Sequence, residues 1–533
     1  MSSAMATPPS ASEAPPARAG GRAWLSLAVL VLPVVLISVD MTVLGFAVPH
    51  LSADLSPTGT QLLWIVDIYS FMLAGLLVTM GTLGDRIGRR RLLLLGSFGF
   101  GLASLMAAYA TTPEMLIAAR ALLGMAGATL MPATLSLLRN IFTDRRQRVI
   151  AIAAWSSGFS AGAALGPILG GWLLEHFWWG SVFLINLPVM AATLVLGRLL
   201  LPESRDPNPG RYDLPSVALS MATLLPVVYG VKKLAEGGPV LLALAAIFLG
   251  LTVGLLFVRR QLRLDNPMID VRLFALRRFS TAVVTNLILT FALVAALFAL
   301  TQYLQLVLGL NPMRAGLVLL PGMVLTVAAS FVAAPLARRV PMGTLLASGL
   351  GMATLGFAVM TQLSPDGGAP LVMAGFAVLG IGVGFTDTVT NDAILSEAPP
   401  HRAGAASAIS ETAYELGAAL GIAVLGSVLT AVYRIQLDTV PDVPDTAMAE
   451  ARETLGGASL AAENLPDELA HQLLSASHAA FTSGLHVTSL LGVVIVAGAA
   501  VQAGVLLRRR RDRANRASGR GTADRAVPHT PLT

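Results

Sequence analysis

The chain has 533 residues, of which 55% are hydrophobic and only 12% charged, with a mean hydropathy of +0.73, whereas water-soluble domains carry about 25% charged residues. That composition excludes a water-facing globule, and the net charge of +6 does not point to nucleic acid, because the arginines stand in short clusters between apolar runs. With no cysteine and seven histidines that lack paired ligand spacing, disulfides, thiolate metal sites and thiol nucleophiles are excluded and a metalloenzyme is hard to build.

Apolar windows of about 20 residues, the length of a bilayer span, predict fourteen helices. They lie near 24–50, 60–82, 91–111, 114–139, 149–174, 181–201, 214–232, 239–258, 279–308, 312–337, 343–363, 370–397, 405–434 and 484–507, here helices 1 to 14. Arginine clusters follow helices 2, 4, 6, 8, 10 and 14, so every second loop is basic. The loops between them have almost no positive charge, with Lys232 and Lys233 between helices 7 and 8 as the main exception. By the positive-inside rule this predicts a multi-pass protein of the cytoplasmic membrane with both termini in the cytoplasm.

Residues 1–23 are Ala/Pro/Ser-rich and read as disordered, and helix 1 is too long to be the core of a cleaved signal peptide. The linker 202–210 closes a first six-helix bundle, 24–201. Residues 202–278 add two further helices and a basic, amphipathic stretch, 259–278, which lies along the cytoplasmic interface or serves as a plain linker. A second six-helix bundle, 279–507, and a basic disordered tail, 508–533, complete the chain. The expected fold is thus all-α and polytopic, six plus two plus six.

Asp40 lies in the middle of helix 1, where an ionisable group is costly and marks a functional site by default. Helix 2 carries Asp67 between Trp64 and Tyr69, a carboxylate and aromatic faces that attract a cation. Between helices 2 and 3 runs Gly81-Thr82-Leu83-Gly84-Asp85-Arg86-Ile87-Gly88-Arg89-Arg90-Arg91, glycines for a tight turn with charges that can pair at the membrane edge. Arg120 in helix 4 requires a carboxylate or carbonyl partner at its depth. After helix 4 come Asp144, Arg146 and Arg148. Helix 5 has glycines at 158, 162, 166 and 170, a smooth stripe for close packing, and Pro167 adds a bend.

Helix 12 contributes Asp387 and Asp392, and helix 13 contributes Glu411, Tyr414 and Glu415, two carboxylates one turn apart that suit a shared proton or a second cation site. With Arg120 as the clear deep cation, these acids predict an electronegative cavity, with Asp67 and Asp40 in its outer part, Asp387 and Glu415 near the midplane, and Asp392 and Glu411 toward the cytoplasm. The acidic external segment 435–483, with helical stretches at 446–454 and 466–480, could draw cations out, fold over the mouth, or be a solvated spacer.

The G-x-x-x-D-R-x-G-R-R loop after helix 2 resembles the signature of the major facilitator superfamily, in which it latches helices at the cytoplasmic face. Asp144 with Arg146 and Arg148 resembles its partner strip. The Arg120 segment resembles the superfamily motif whose arginine is implicated in proton coupling. The helix 5 form G-x-x-x-G-x-x-x-G-P-x-x-G-G is similar to the antiporter motif of the fourteen-helix drug:proton branch.

The resemblance implies a proton-coupled antiporter that exports lipophilic cationic drugs, dyes and quaternary ammonium compounds. The alternative is a dedicated exporter of one self-made antibiotic or metabolite. It assigns proton coupling to Asp40, Arg120 and Glu411, substrate binding to Asp67, Trp64, Tyr69, Asp387, Tyr414 and Glu415, and gating to Gly81, Asp85, Arg86, Gly88, Arg89, Asp144, Gly162, Gly166 and Pro167, though the roles of the acids could be exchanged. Protons, small lipophilic cations and the bilayer are the expected partners of a monomer that needs no cofactor and no nucleic acid, and it is expected not to be an enzyme. Burial raises a carboxylate's pKa and an approaching cation lowers it, so one acid binds a proton or a drug but not both well.

Overall fold

A computed structural model describes residues 20–205, 213–235, 237–265, 267–337, 339–397, 403–437 and 440–523. The segments 1–19, 206–212 and 524–533, which hold most of the expected disordered N-terminus, the core of the linker and the chain end, lie outside the described residues.

Among the described residues fourteen helices are long and apolar enough to cross a membrane. They are helix 1 (Gly21–Leu55), helix 2 (Gly59–Ile87), helix 3 (Arg89–Ala108), helix 4 (Pro113–Ile141), helix 5 (Arg145–His176), helix 6 (Ser181–Leu184 and Asn186–Leu200), helix 7 (Leu214–Ala235), helix 8 (Val240–Arg263), helix 9 (Arg277–Gln302 and Tyr303–Val307), helix 10 (Pro312–Leu336), helix 11 (Met342–Met360), helix 12 (Ala369–Glu397), helix 13 (Ala403–Gly421, Ile422–Gly426 and Ser427–Gln436) and helix 14 (Asp467–Ala523). Their starts follow from local chemistry. Thr58 and Gln61 form a reciprocal capping box at helix 2, Thr112 and Asn311 cap helices 4 and 10, and a proline follows each of the latter two as the first helical residue.

Helix 5 packs along helix 1 through its glycine stripe. A Cβ on Gly162 would collide with the Val35 carbonyl and one on Gly166 with the Thr42 side chain, while one on Gly158 would stand 2.7 Å from Val31 Cγ1. The close approach lets Ser38 Oγ donate to the Phe159 carbonyl at 2.6 Å. Farther along, the same helix meets helix 10: a Cβ on Gly171 would come within 2.6 Å of Met313 Cα, and one on Gly316 within 2.6 Å of the Pro167 carbonyl. These contacts join the first six helices to the last six at the end opposite the arginine-rich loops.

Other contacts close the same end. Gly59 at the start of helix 2 meets Thr430 of helix 13, and its N–H donates to Glu453 at 3.2 Å. The segment between helices 13 and 14 is folded, with helices Asp445–Glu453 and Leu455–Glu463, and its stretch from Asp467 onward is continuous with helix 14. It is no spacer: Leu455, Ala458, Ala461 and Ala462 are buried, Gly456 abuts Ser52 at the end of helix 1, and Arg434 pairs with Glu453 at 2.6 Å. The segment lies over the mouth between the halves.

Within the stretch 259–278, helix 8 ends at Arg263 and, among the described residues, a short 3₁₀ turn, Val271–Ala275, follows before helix 9. Helix 14 runs on through the arginine cluster to Ala523.

Because the added methyl at Gly162 meets backbone while that at Gly158 meets only a side-chain tip, Gly162→Ala is expected to destabilise the purified protein by about 1–3 kcal/mol and Gly158→Ala by less. Thermal unfolding in detergent checks the order, and equal shifts would show that helix 1 does not hold helix 5 by this contact.

Candidate functional site

Arg120 enters the first bundle from the first turns of helix 4, and its side chain and that of Asp40 on helix 1 are each only 2% exposed. Nη1 donates to Asp40 Oδ2 at 2.6 Å and Nε to the Ile65 carbonyl of helix 2 at 3.2 Å. The guanidinium carbon stands 4.6 Å from the centre of the Tyr69 ring. The arginine thus has the carboxylate and carbonyl partners its depth demands, and one cation ties helices 1, 2 and 4 together.

Asp67 meets a different outcome from the one expected. Lys232 Nζ of helix 7 lies 3.0 Å from Asp67 Oδ1 and 2.9 Å from Oδ2, and 3.8 Å from the centre of the Trp64 ring. Both side chains are sealed, at 1% and 0% exposure. Read from the sequence, Lys232 is a loop residue and Arg120 the clear deep cation. Helix 7 instead continues to Ala235 and carries this lysine inward. Trp64 and Asp67 already hold a cation from within the chain, and Tyr69 is buried under Arg120.

On the other side of the seam, Asp387 of helix 12 and Glu411, Tyr414 and Glu415 of helix 13 come together within electrostatic reach of one another. Asn391 Nδ2 donates to Asp387 at 2.9 Å, and Ser410 Oγ donates to Asn391 Oδ1 at 2.8 Å. Ser70 of helix 2 lies beside Glu415 across the seam, and the Tyr414 ring stands edge-on to Phe159 of helix 5 at 5.8 Å. No ion pair to Asp387, Glu411 or Glu415 is formed by a basic side chain among the described residues. Asp392 is exposed and outside this group.

The loop after helix 2 is latched to Glu203 and Ser204, while of the expected partner strip the side chain of Arg146 lies outside the described residues. Asp85 receives Arg89 Nε at 2.9 Å. Gly88 adopts φ +110°, open to glycine without strain, with the Glu203 carboxylate where a Cβ would stand. Glu203 accepts from the Arg90 N–H at 3.2 Å, and the Arg89 N–H donates to the Ser204 carbonyl at 2.9 Å. Asp144 serves as the N-cap of helix 5, accepting from the Gln147 N–H at 2.9 Å, so its position is accounted for by the helix start. Arg86 is exposed, and a Cβ on Gly81 would find Pro132 at an ordinary 3.5 Å, so no close approach there requires glycine.

Sequence reasoning missed Lys232 and Glu203. The signal for Lys232 was present, as the exception to the charge alternation of the loops. Glu203 gave none beyond its place in the linker.

The profile of the Major Facilitator Superfamily matches residues 30–422. The chain is 49% identical over 488 residues to the "Multidrug efflux pump LfrA" of Mycolicibacterium smegmatis, covering 92% of this chain and 97% of that protein. It is 38% identical to the "Methyl viologen resistance protein SmvA" of Salmonella typhimurium, covering 86% and 93%. Among solved structures, a bacterial homolog of the human lysosomal transporter Spinster, inward-facing and unoccupied, superposes with a TM-score of 0.65 at 16% identity, over 92% of this chain and 99% of that one.

Removing Asp40 alone leaves a buried guanidinium without its carboxylate, a loss of about 3–5 kcal/mol. Asp40→Asn is therefore expected to lower the unfolding temperature, and Asp40→Asn/Arg120→Gln to recover most of the loss. Thermal denaturation of the purified variants checks this; a double variant no more stable than the single one would mean that the pair contributes little.

Proposed function

The chain belongs to the Major Facilitator Superfamily, and from that premise we propose that it is a proton-driven exporter of lipophilic cations such as quaternary ammonium compounds and cationic dyes. The observation that carries the charge preference is the contrast between the two sides of the seam. Asp40 of helix 1 and Asp67 of helix 2 are each neutralised by a cation of the chain, while Asp387, Glu411 and Glu415 are gathered without such a partner among the described residues, beside the rings of Tyr414 and Phe159. A lipophilic cation needs this combination of carboxylate and aromatic face.

With the arginine-rich loops on the cytoplasmic side, the contacts of helix 5 with helix 10 and of Gly59 with Thr430 lie at the outer end. The exchange reading follows from charge balance. A cation drawn from the cytoplasm displaces protons from Glu411 and Glu415, the halves rock about the seam, and returning protons release the cation outside. Asp40 and Arg120 couple the step to proton movement, because protonating Asp40 removes the charge that holds Arg120 across helices 1, 2 and 4. Asp85, Arg89, Gly88 and Glu203 brace the cytoplasmic end during the rocking. The energy source is the proton gradient, with no cofactor, and the working unit is one chain in the cytoplasmic membrane.

Reconstituted in liposomes with an imposed proton gradient, the wild type is expected to move tetraphenylphosphonium in the direction that the gradient drives. Glu415→Gln should weaken tetraphenylphosphonium binding by about tenfold, the equivalent of about 1.4 kcal/mol. Asp40→Asn should retain binding while losing the response to the gradient. Absence of gradient-driven movement for every cation tried would sink the proposal.

A further inference from the structure

Helices 7 and 8 have no part in the exchange just described, yet helix 7 is docked on the seam. Its Val228 shares one buried cluster with Phe71 and Trp64 of helix 2 and with Ala419 and Ala423 of helix 13. Its Met221 fills the space that a side chain at Gly75 would need. Lys232 stands four residues beyond Val228, on the same helical face, so the docking itself delivers the ammonium to Asp67. The resulting cage has a carboxylate on one side, at 2.9 and 3.0 Å, and an indole face on the other, at 3.8 Å. That is the environment a free organic cation would seek, but its occupant is covalently part of the chain.

The cage adjoins the acids across the seam. Asp67 and Ser70 are three residues apart on helix 2, about 4.5 Å along the axis, and Ser70 lies beside Glu415. Two positive centres of one small dication could span this interval if Asp67 were free.

We infer that Lys232 is a specificity-determining residue, a tethered cation that fills the Asp67–Trp64 cage in place of substrate and so limits the cavity to organic cations of single charge. The inference rests on the cation-export reading. In a low-dielectric site an uncancelled charge changes the binding of a neighbouring cation strongly, so removing either member of the pair should act in opposite directions.

The test is a charge cycle on the full-length purified protein, with binding of tetraphenylphosphonium, a monocation, and methyl viologen, a dication, measured by equilibrium dialysis. Lys232→Gln keeps a donor for Asp67 without the charge, and is expected to favour methyl viologen over tetraphenylphosphonium by about tenfold relative to wild type. Asp67→Asn leaves the ammonium uncancelled and should weaken both probes, the dication more. Asp67→Asn/Lys232→Gln, from which both charges leave together, should return the wild-type ratio, and Lys232→Arg should retain it.

A double variant that binds tetraphenylphosphonium as poorly as Asp67→Asn alone would overturn the inference, because Asp67 would then be holding the substrate itself. So would a Lys232→Gln ratio equal to that of wild type. If Lys232→Gln is not recovered as a monodisperse protein, Asp67→Asn and the double variant decide by the same criterion. Binding of neither probe by the wild type would instead overturn the cation-export reading, and the inference with it.

Discussion

An ionised side chain in a membrane interior must find a counter-charge within the protein, since neither lipid nor water will supply one. That requirement organises the first half of this chain. Arg120 cannot stand alone in helix 4, and its pairing with Asp40 and the Ile65 carbonyl draws helices 1, 2 and 4 to one point. Asp67 cannot stand alone in helix 2, and its pairing with Lys232 draws the inserted helix 7 onto the seam. The two ion pairs are therefore structural ties. A tie of this kind is strong while both partners are present and becomes a liability when one is protonated or displaced, which is the property a transporter needs at its moving joints.

The second half is built on the opposite choice. Asp387, Glu411 and Glu415 are gathered at the seam without a basic partner among the described residues, and Asp387 accepts a hydrogen bond from Asn391. Groups left in this condition are ready to take a proton or a cation from outside the chain. The asymmetry between a neutralised half and an electronegative half would be invisible to a count of acidic residues, because both halves contribute intramembrane carboxylates.

Close backbone contact supplies the second constraint. Where Gly162 meets Val35 and Gly171 meets Met313, a single methyl group has no room, so the helices approach as near as their backbones allow. The same glycine-rich helix 5 thus touches helix 1 in its own bundle and helix 10 in the other, which makes it a rigid lever between them. At the same end, the folded segment after helix 13 seats Leu455 and Ala458 in the core and ties Glu453 to both Gly59 and Arg434. Closure there is a packed, hydrogen-bonded surface.

Much of this was legible in the residue order. The fourteen spans follow from apolar windows of bilayer length, the need of Arg120 for a partner from its depth, and the close packing of helix 5 from a four-residue glycine period, because each is a property of one segment and its solvent. What tertiary structure alone decided is which charges meet. Asp67 has the neighbours of a cation site in sequence, with Trp64 three residues before it, yet the cation comes from Lys232, 165 residues away. Glu203, too, completes the loop at Gly88 from the far end of helix 6. A sequence determines how deep each charge must lie, since burial depends on its own helix. Its partner depends on which helices pack side by side, and that is settled only when the whole bundle closes.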